Sequence, residues 1–167
     1  MAMEAMMEMT MDMANLEMAD LDWPELSNRI AALIDGEDDD IARMATIACE
    51  LHHAFERFHW TGFYRNVGNE TLKIGPYQGG HGCLVIPFSR GVCGACARKG
   101  ETLIVGDVEA FPDHIACSST TRSEIVVPIW RKGTLLGVLD IDSDYPDAFN
   151  EADREALEAI LADAFDR

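Results

Sequence analysis

An α+β domain, with a mostly antiparallel sheet and helices packed against it, is the fold this sequence predicts. Three observations carry that expectation. Two early segments place apolar residues at helical spacing, the middle of the chain switches to a period of two punctuated by glycine turns, and a capped helix follows the last strand pair. Helices and strands arriving in runs, rather than in strict alternation, argue against a parallel sheet with crossover helices.

The elements follow in order. Asp22-Trp23-Pro24 offers a cap and a first-turn proline for a helix reaching about Ile34, ahead of Gly36. After the acidic run 37–40, Ile41, Met44, Ile47, Ala48, Leu51 and Phe55 recur at steps of three and four, a second helix in which Cys49 reads as a packed thiol. Residues 58–67 then alternate as a strand, Gly68-Asn69 turns the chain, and 70–75 return as its partner. A glycine-rich loop over 76–82 leads to a short strand at 84–87, and 91–98 reads as one or two helical turns. Leu103–Val105 is another strand, and 107–121 is a long irregular loop, the kind that inside a compact domain is functional or disordered. A hairpin pairs 124–130 with 134–141 across Arg131-Lys132-Gly133. Asn150 caps a last helix carrying Leu157, Ile160, Leu161 and Phe165.

With 167 residues the chain suits one well-packed domain, placed at 21–167. Residues 1–20 stand apart, because eight of the nine methionines fall there among acidic residues with no basic one, so they read as a disordered acidic tail. The net charge of −17 repels phosphate backbones and anionic lipid, so neither nucleic acid nor a membrane surface is an expected partner. No apolar run approaches the ~18 residues of a membrane span. No basic stretch leads into an apolar core as in a secretory signal. The five cysteines, an odd number, fit free thiols in a reducing cytoplasm better than a disulfide framework.

Two groups of residues carry the chemistry. Asp140 and Asp142, two apart on a strand, share one face about 7 Å apart. If Arg131-Lys132-Gly133 is a three-residue loop with Gly133 left-handed, Trp130 faces Thr134 and Glu124 lies opposite Asp140. A two-residue loop would send Glu124 to the other face. Three carboxylates so close cannot all ionise easily, and one or two should titrate above their free values. Such a cluster can donate a proton or hold an ammonium group, unless the strand ends at Asp140 and both aspartates meet water.

The thiols are the second group. Cys83, Cys93 and Cys117 sit among glycines and serines that leave room for a ligand or another sulfur. Cys93 begins a helix, where amide dipoles favour the thiolate. Cys93 and Cys96 form a C-x-x-C pair, but zinc would want a second pair, so no metal is expected and Cys96 reads as packed inside the helix. Trp60 and Tyr64 flank Gly62 on one strand face, either ordinary packing or a shallow slot between two rings for a methyl group. Thiols beside acids point to a thiol-based reductase of a small polar metabolite.

Trp60-Thr61-Gly62-Phe63-Tyr64, Gly91-Val92-Cys93-Gly94, His114-Ile115-Ala116-Cys117, Ser123-Glu124-Ile125-Val126 and Gly137-Val138-Leu139-Asp140-Ile141-Asp142-Ser143 resemble, in order and spacing, the free methionine-(R)-sulfoxide reductases, a GAF-domain family. The resemblance runs over about 39–165. It implies a six-stranded, mostly antiparallel sheet with flanking helices and a small pocket, and thiol-dependent reduction of free L-methionine (R)-sulfoxide to L-methionine through a cysteine sulfenic acid. By resemblance Cys117 is the attacking thiol, Cys83 closes the disulfide with it, and Cys93 is a third catalytic cysteine. Trp60, Tyr64, Glu124, Asp140, Asp142, Ile115 and Ala116 would bind substrate. No cofactor is bound; thioredoxin, supplied through NADPH and thioredoxin reductase, would return the thiols, and a homodimer is compatible with the pattern. Departures are the apolar Leu84-Val85 after Cys83 and the extra Cys96. The rival readings are a non-catalytic GAF module sensing a small ligand and a redox-sensing interaction protein.

Overall fold

The computed structural model describes residues 22–166; the methionine-rich segment at 1–20 lies outside them. Helices α1 (Trp23–Leu33) and α2 (Asp40–Ala54) come first, then strands β1 (Trp60–Asn66), β2 (Thr71–Gln78) and β3 (Val85–Pro87). Helix α3 (Gly91–Lys99), β4 (Leu103–Val105), β5 (Ser123–Arg131), β6 (Thr134–Ser143) and α4 (Glu151–Phe165) complete the chain. The strands form one sheet in the order β3-β2-β1-β6-β5-β4, antiparallel at every pairing. Among the described residues no helix is long and apolar enough to cross a membrane.

The helix starts follow from capping. Asp22 accepts from the Glu25 amide with Pro24 in the first turn, Asp39 accepts from Ile41 and Ala42, and Asn150 and Asp153 form a reciprocal capping box. The period-two pattern then sorts side chains to two faces. Phe63, Ile125, Val127, Ile129, Leu139 and Ile141 pack with α1, α2 and α4 in the larger core. Fully burying each such side chain contributes about 1.5–3 kcal/mol. The opposite face carries Trp60, Tyr64, Leu72, Val126 and Val138, covered by α3. That second face holds the site.

Two bulges set what faces it. In β2 the register with β1 shifts between Gly62 and Tyr64, which lets Pro76 lie inside a strand that the sequence predicts to end at 75. The second bulge overturns the expected hairpin. The connection is a two-residue turn, Lys132-Gly133, with φ of 48° and 80°, and Arg131 pairs with Thr134. Uncorrected, that turn would aim Glu124 at the helical core. A shift between Ile129 and Trp130 restores the face, so that Glu124 pairs with Asp142 rather than Asp140. Gly137 sits at this shift, and a Cβ there would collide with the Tyr64 carbonyl oxygen of β1.

Candidate active site

One cavity, of about 40 Å³, gathers most of the residues singled out from the sequence. β1 contributes Trp60 and Tyr64, β6 Asp140 and Asp142, β5 Glu124, and the first turn of α3 Cys93. The long loop before β5 supplies Ile115 and Cys117, and is tied to α3 where the Gly91 amide donates to the Asp113 carbonyl at 3.0 Å. Side chain would be unwelcome at Gly91, whose φ is 71° and whose Cβ would press on Ile115. Within that loop Val108–Ala110 forms a short 3₁₀ turn capped by Asp107.

Cys83 and Cys117 are joined as a disulfide, with Cα atoms 5.4 Å apart across 34 residues of sequence. The bond ties the glycine-rich loop after β2 to the loop before β5, and both sulfurs belong to half-buried residues. Trp60 holds the first of these loops from below, its Nε1 donating to the Gly80 carbonyl at 3.0 Å. Gly82 lies so close that a Cβ would stand 2.8 Å from the Trp60 ring and 3.1 Å from the Tyr64 hydroxyl.

Three expectations need correction here. The Trp60 and Tyr64 rings are not a slot: their centroids lie 5.9 Å apart at an interplanar angle of 28°, stacked over Gly62 as one continuous wall. Cys93 is not activated by its helix. It is buried, and burial followed by the neighbouring charges of Asp140 and Glu124 pushes its thiol well above the ordinary value, which outweighs the amide dipoles of one turn. Ala116 is exposed and does not line the cavity, and the Cys117 amide is turned inward to the Ile115 carbonyl at 3.1 Å. Cys96 is fully buried, its thiol donating to the Val126 carbonyl at 3.6 Å, as packing inside the helix predicts.

Burial raises all three carboxylates. Asp140 goes up to about 6, held from rising further by hydrogen bonds with Cys93 and Glu124. Glu124 and Asp142 are also raised well above the ordinary carboxylate value, by burial and then by the charge on Asp140, so the trio resists carrying three charges at once. Glu124 Oε1 and Asp140 Oδ1 are buried atoms without a hydrogen-bond partner, an arrangement that awaits a donor. The three also bring one oxygen each within 4.8 Å of one another, a spacing a cation could use. Three oxygens are half the shell of a hard cation, and hydrogen bonding within the trio satisfies part of it already.

Sequence reasoning left His114 without a role. Its Nε2 lies 3.7 Å from Glu124 Oε1 inside the cavity, and burial lowers its affinity for a proton. Nothing in its spacing betrays this, because the contact spans a loop and a strand. A wider groove of about 660 Å³ lies at the β4 edge, lined by Leu103, Pro128, Trp130, Arg154 and Leu161. It contains no thiol, so the chemistry belongs to the smaller cavity.

Raised carboxylates carry a stability consequence. Below the ordinary carboxylate range both folded and unfolded chains are protonated; as pH climbs from there up through the raised folded values, the unfolded chain ionises while the folded one still holds its protons, and stability is lost. Glu124→Gln is therefore expected to match the parent melting temperature at pH 4 and exceed it by about 5 °C at pH 8. Calorimetry across that range checks it; a constant difference at both pH values would place Glu124 outside the strained set.

The GAF domain profile matches residues 40–164. Free methionine-R-sulfoxide reductase of Saccharomyces cerevisiae is 41% identical over 135 residues, covering 77% of this chain and 75% of that one. The protein of the same name from Escherichia coli is 36% identical over 140 residues, covering 84% of each. Among solved structures, free methionine-R-sulfoxide reductase from Neisseria meningitidis in complex with its substrate superimposes with a TM-score of 0.81 at 44% identity, covering 85% of each chain.

Proposed function

Since this chain belongs to the GAF domain family, and within it to the free methionine-R-sulfoxide reductases, we propose that its small cavity reduces free L-methionine (R)-sulfoxide, with Cys117 as nucleophile. One observation carries the assignment of roles. The disulfide partner Cys117 and the carboxylates Glu124 and Asp142, whose hold on a proton burial strengthens, line the same cavity.

A sulfoxide sulfur becomes electrophilic only when its oxygen takes a proton, so the thiolate needs an acid on the opposite side of the reacting group. Asp142 fits that part best: burial strengthens its hold on a proton, yet it is less buried than Glu124 and Asp140 and can regain a proton from solvent. The Cys117 thiolate bonds to the substrate sulfur as the acid gives its proton to the oxygen; the hydroxyl then passes to Cys117, the transient sulfur–sulfur bond and the S–O bond both break, and Cys117 is left as a sulfenic acid while methionine leaves. The Cys83 thiol then displaces that oxygen as water, closing the disulfide. Two electrons have passed from two thiols to the substrate.

The surroundings account for selectivity. The stacked Trp60–Tyr64 wall offers an apolar surface for the methyl group. Ionised Asp140 can hold an ammonium group, which a methionine within a polypeptide lacks. With methyl, ammonium and oxygen each assigned a place, the (S) epimer would turn its oxygen away from the acid. Closed by the disulfide, the cavity of about 40 Å³ holds only a few waters, so substrate enters after the thiols are restored. A dithiol such as thioredoxin, itself reduced through NADPH and thioredoxin reductase, would supply those electrons.

Cys93 then acts through Asp140 instead of attacking. Its hydrogen bond lowers the Asp140 pKa, which favours the charged form of that carboxylate. The decisive assay is thioredoxin- and NADPH-coupled turnover of resolved free methionine sulfoxides. Consumption of the (R) epimer alone is expected; no consumption of either would remove the enzymatic reading in favour of a ligand-binding module.

A further inference from the structure

Reducing the Cys83–Cys117 bond requires a second protein to reach a sulfur, and the surface beside Cys83 is unlike the rest of the chain. Leu84 and Val85 are 71% and 51% exposed, the adjoining apolar pair after the disulfide. Leu84 precedes and Val85 opens β3, the terminal strand of the sheet, whose outer edge faces no other strand among the described residues. Exposed apolar residues on an open sheet edge are what natural sequences avoid unless something covers them.

Charge singles out the same region. All 30 acidic residues lie outside residues 71–100, whereas that stretch holds Lys73, Arg90, Arg98 and Lys99. Lys73 pairs with Val85 across β2 and β3, so the two share a face, and Arg90 precedes α3 just beyond β3. Both basic residues are exposed, and neither forms an ion pair among the described residues. In a chain of net charge −17 this is a basic stretch of sequence around an apolar step, bordered in space by Glu70 and Asp113, whose carbonyls accept from the Phe88 and Gly91 amides.

We propose that Leu84, Val85, Lys73 and Arg90 form the docking surface for an acidic thioredoxin-type dithiol protein, which attacks the Cys83 sulfur. The proposal rests on the reductase reading above. The partner would lay an extended segment along the β3 edge, its apolar rim on Leu84 and Val85 and its carboxylates near Lys73 and Arg90. Its thiolate forms a bond to Cys83 Sγ as the Cys83–Cys117 bond breaks, and Cys117 departs as a thiolate. The partner's second thiol then attacks its own sulfur in the mixed disulfide and frees Cys83. The partner ends oxidised, and both protein thiols end reduced. Attack at Cys83 rather than Cys117 leaves the nucleophile of the next cycle free inside the cavity.

The test needs no sulfoxide, which separates it from the fate of the enzymatic reading. The oxidised full-length protein is mixed with reduced Escherichia coli thioredoxin or with dithiothreitol, and loss of the disulfide is followed by stopped flow. Leu84→Ser/Val85→Ser is expected to slow reduction by thioredoxin about tenfold and reduction by dithiothreitol less than twofold. Lys73→Glu/Arg90→Glu should slow thioredoxin similarly at low salt, with the deficit fading at high salt. Parental rates with thioredoxin in both variants would overturn the proposal, and so would equal slowing by both reductants.

Discussion

Cys117→Ser is expected to lower turnover of free methionine (R)-sulfoxide by about 10³-fold or more, because serine at this position offers no anion near neutral pH and a hard oxygen where the chemistry needs sulfur. The same substitution removes one end of the 83–117 disulfide, so loss of steady-state turnover alone would not separate attack from recycling. Single-turnover release of methionine does. Cys83→Ser should still release about one equivalent and then stop, since its sulfenic acid forms but finds no partner. Cys117→Ser should release none. Cys96→Ser, whose thiol is buried and bonded to the Val126 carbonyl, should stay close to the parent in both measurements. Equal loss in Cys117→Ser and Cys96→Ser would overturn the assignment of the nucleophile.

What the sequence made legible was periodic. The alternation along β5 and β6 separates Glu124, Val126, Val138, Asp140 and Asp142 from Ile125, Val127, Leu139 and Ile141, and in the structure those two sets lie on opposite faces. The caps at Asp22 and Asn150 were equally readable, since one short side chain and the next three residues decide them. Register was not. A two-residue turn and a compensating bulge give the same face as the expected three-residue loop, with a different partner for Glu124. Only cross-strand geometry distinguishes the two.

Burial was the other blind spot. A cysteine in the first turn of a helix looks activated when only its own helix is considered, yet the carboxylates that suppress Cys93 arrive from β5 and β6. The contact between His114 and Glu124 is equally nonlocal. The pairing of Cys83 with Cys117 came from resemblance, and no spacing rule would have chosen it from among five cysteines.

Asp142→Asn is expected to slow the first chemical step about 10²-fold, with little change in folding, because the amide keeps the shape of the side chain and loses the transferable proton. The pH profile makes the claim specific. In the parent, the step should quicken as Cys117 ionises and slow again as the buried carboxylates release their protons, giving a bell. Burial raises Asp142 above its ordinary value, and the charge of Asp140 raises it further, so the falling limb lies well to the alkaline side of a free carboxylate. In Asp142→Asn that limb should vanish while the rising limb stays, since the thiol is untouched. A substitution that merely loosened the cavity would depress the whole curve and leave both limbs in place. Rapid-quench measurement of methionine formed in one turnover, from pH 5 to pH 9, resolves the two cases; a parental rate and an unaltered bell would move the proton to Glu124, whose contact with His114 offers the alternative route to solvent.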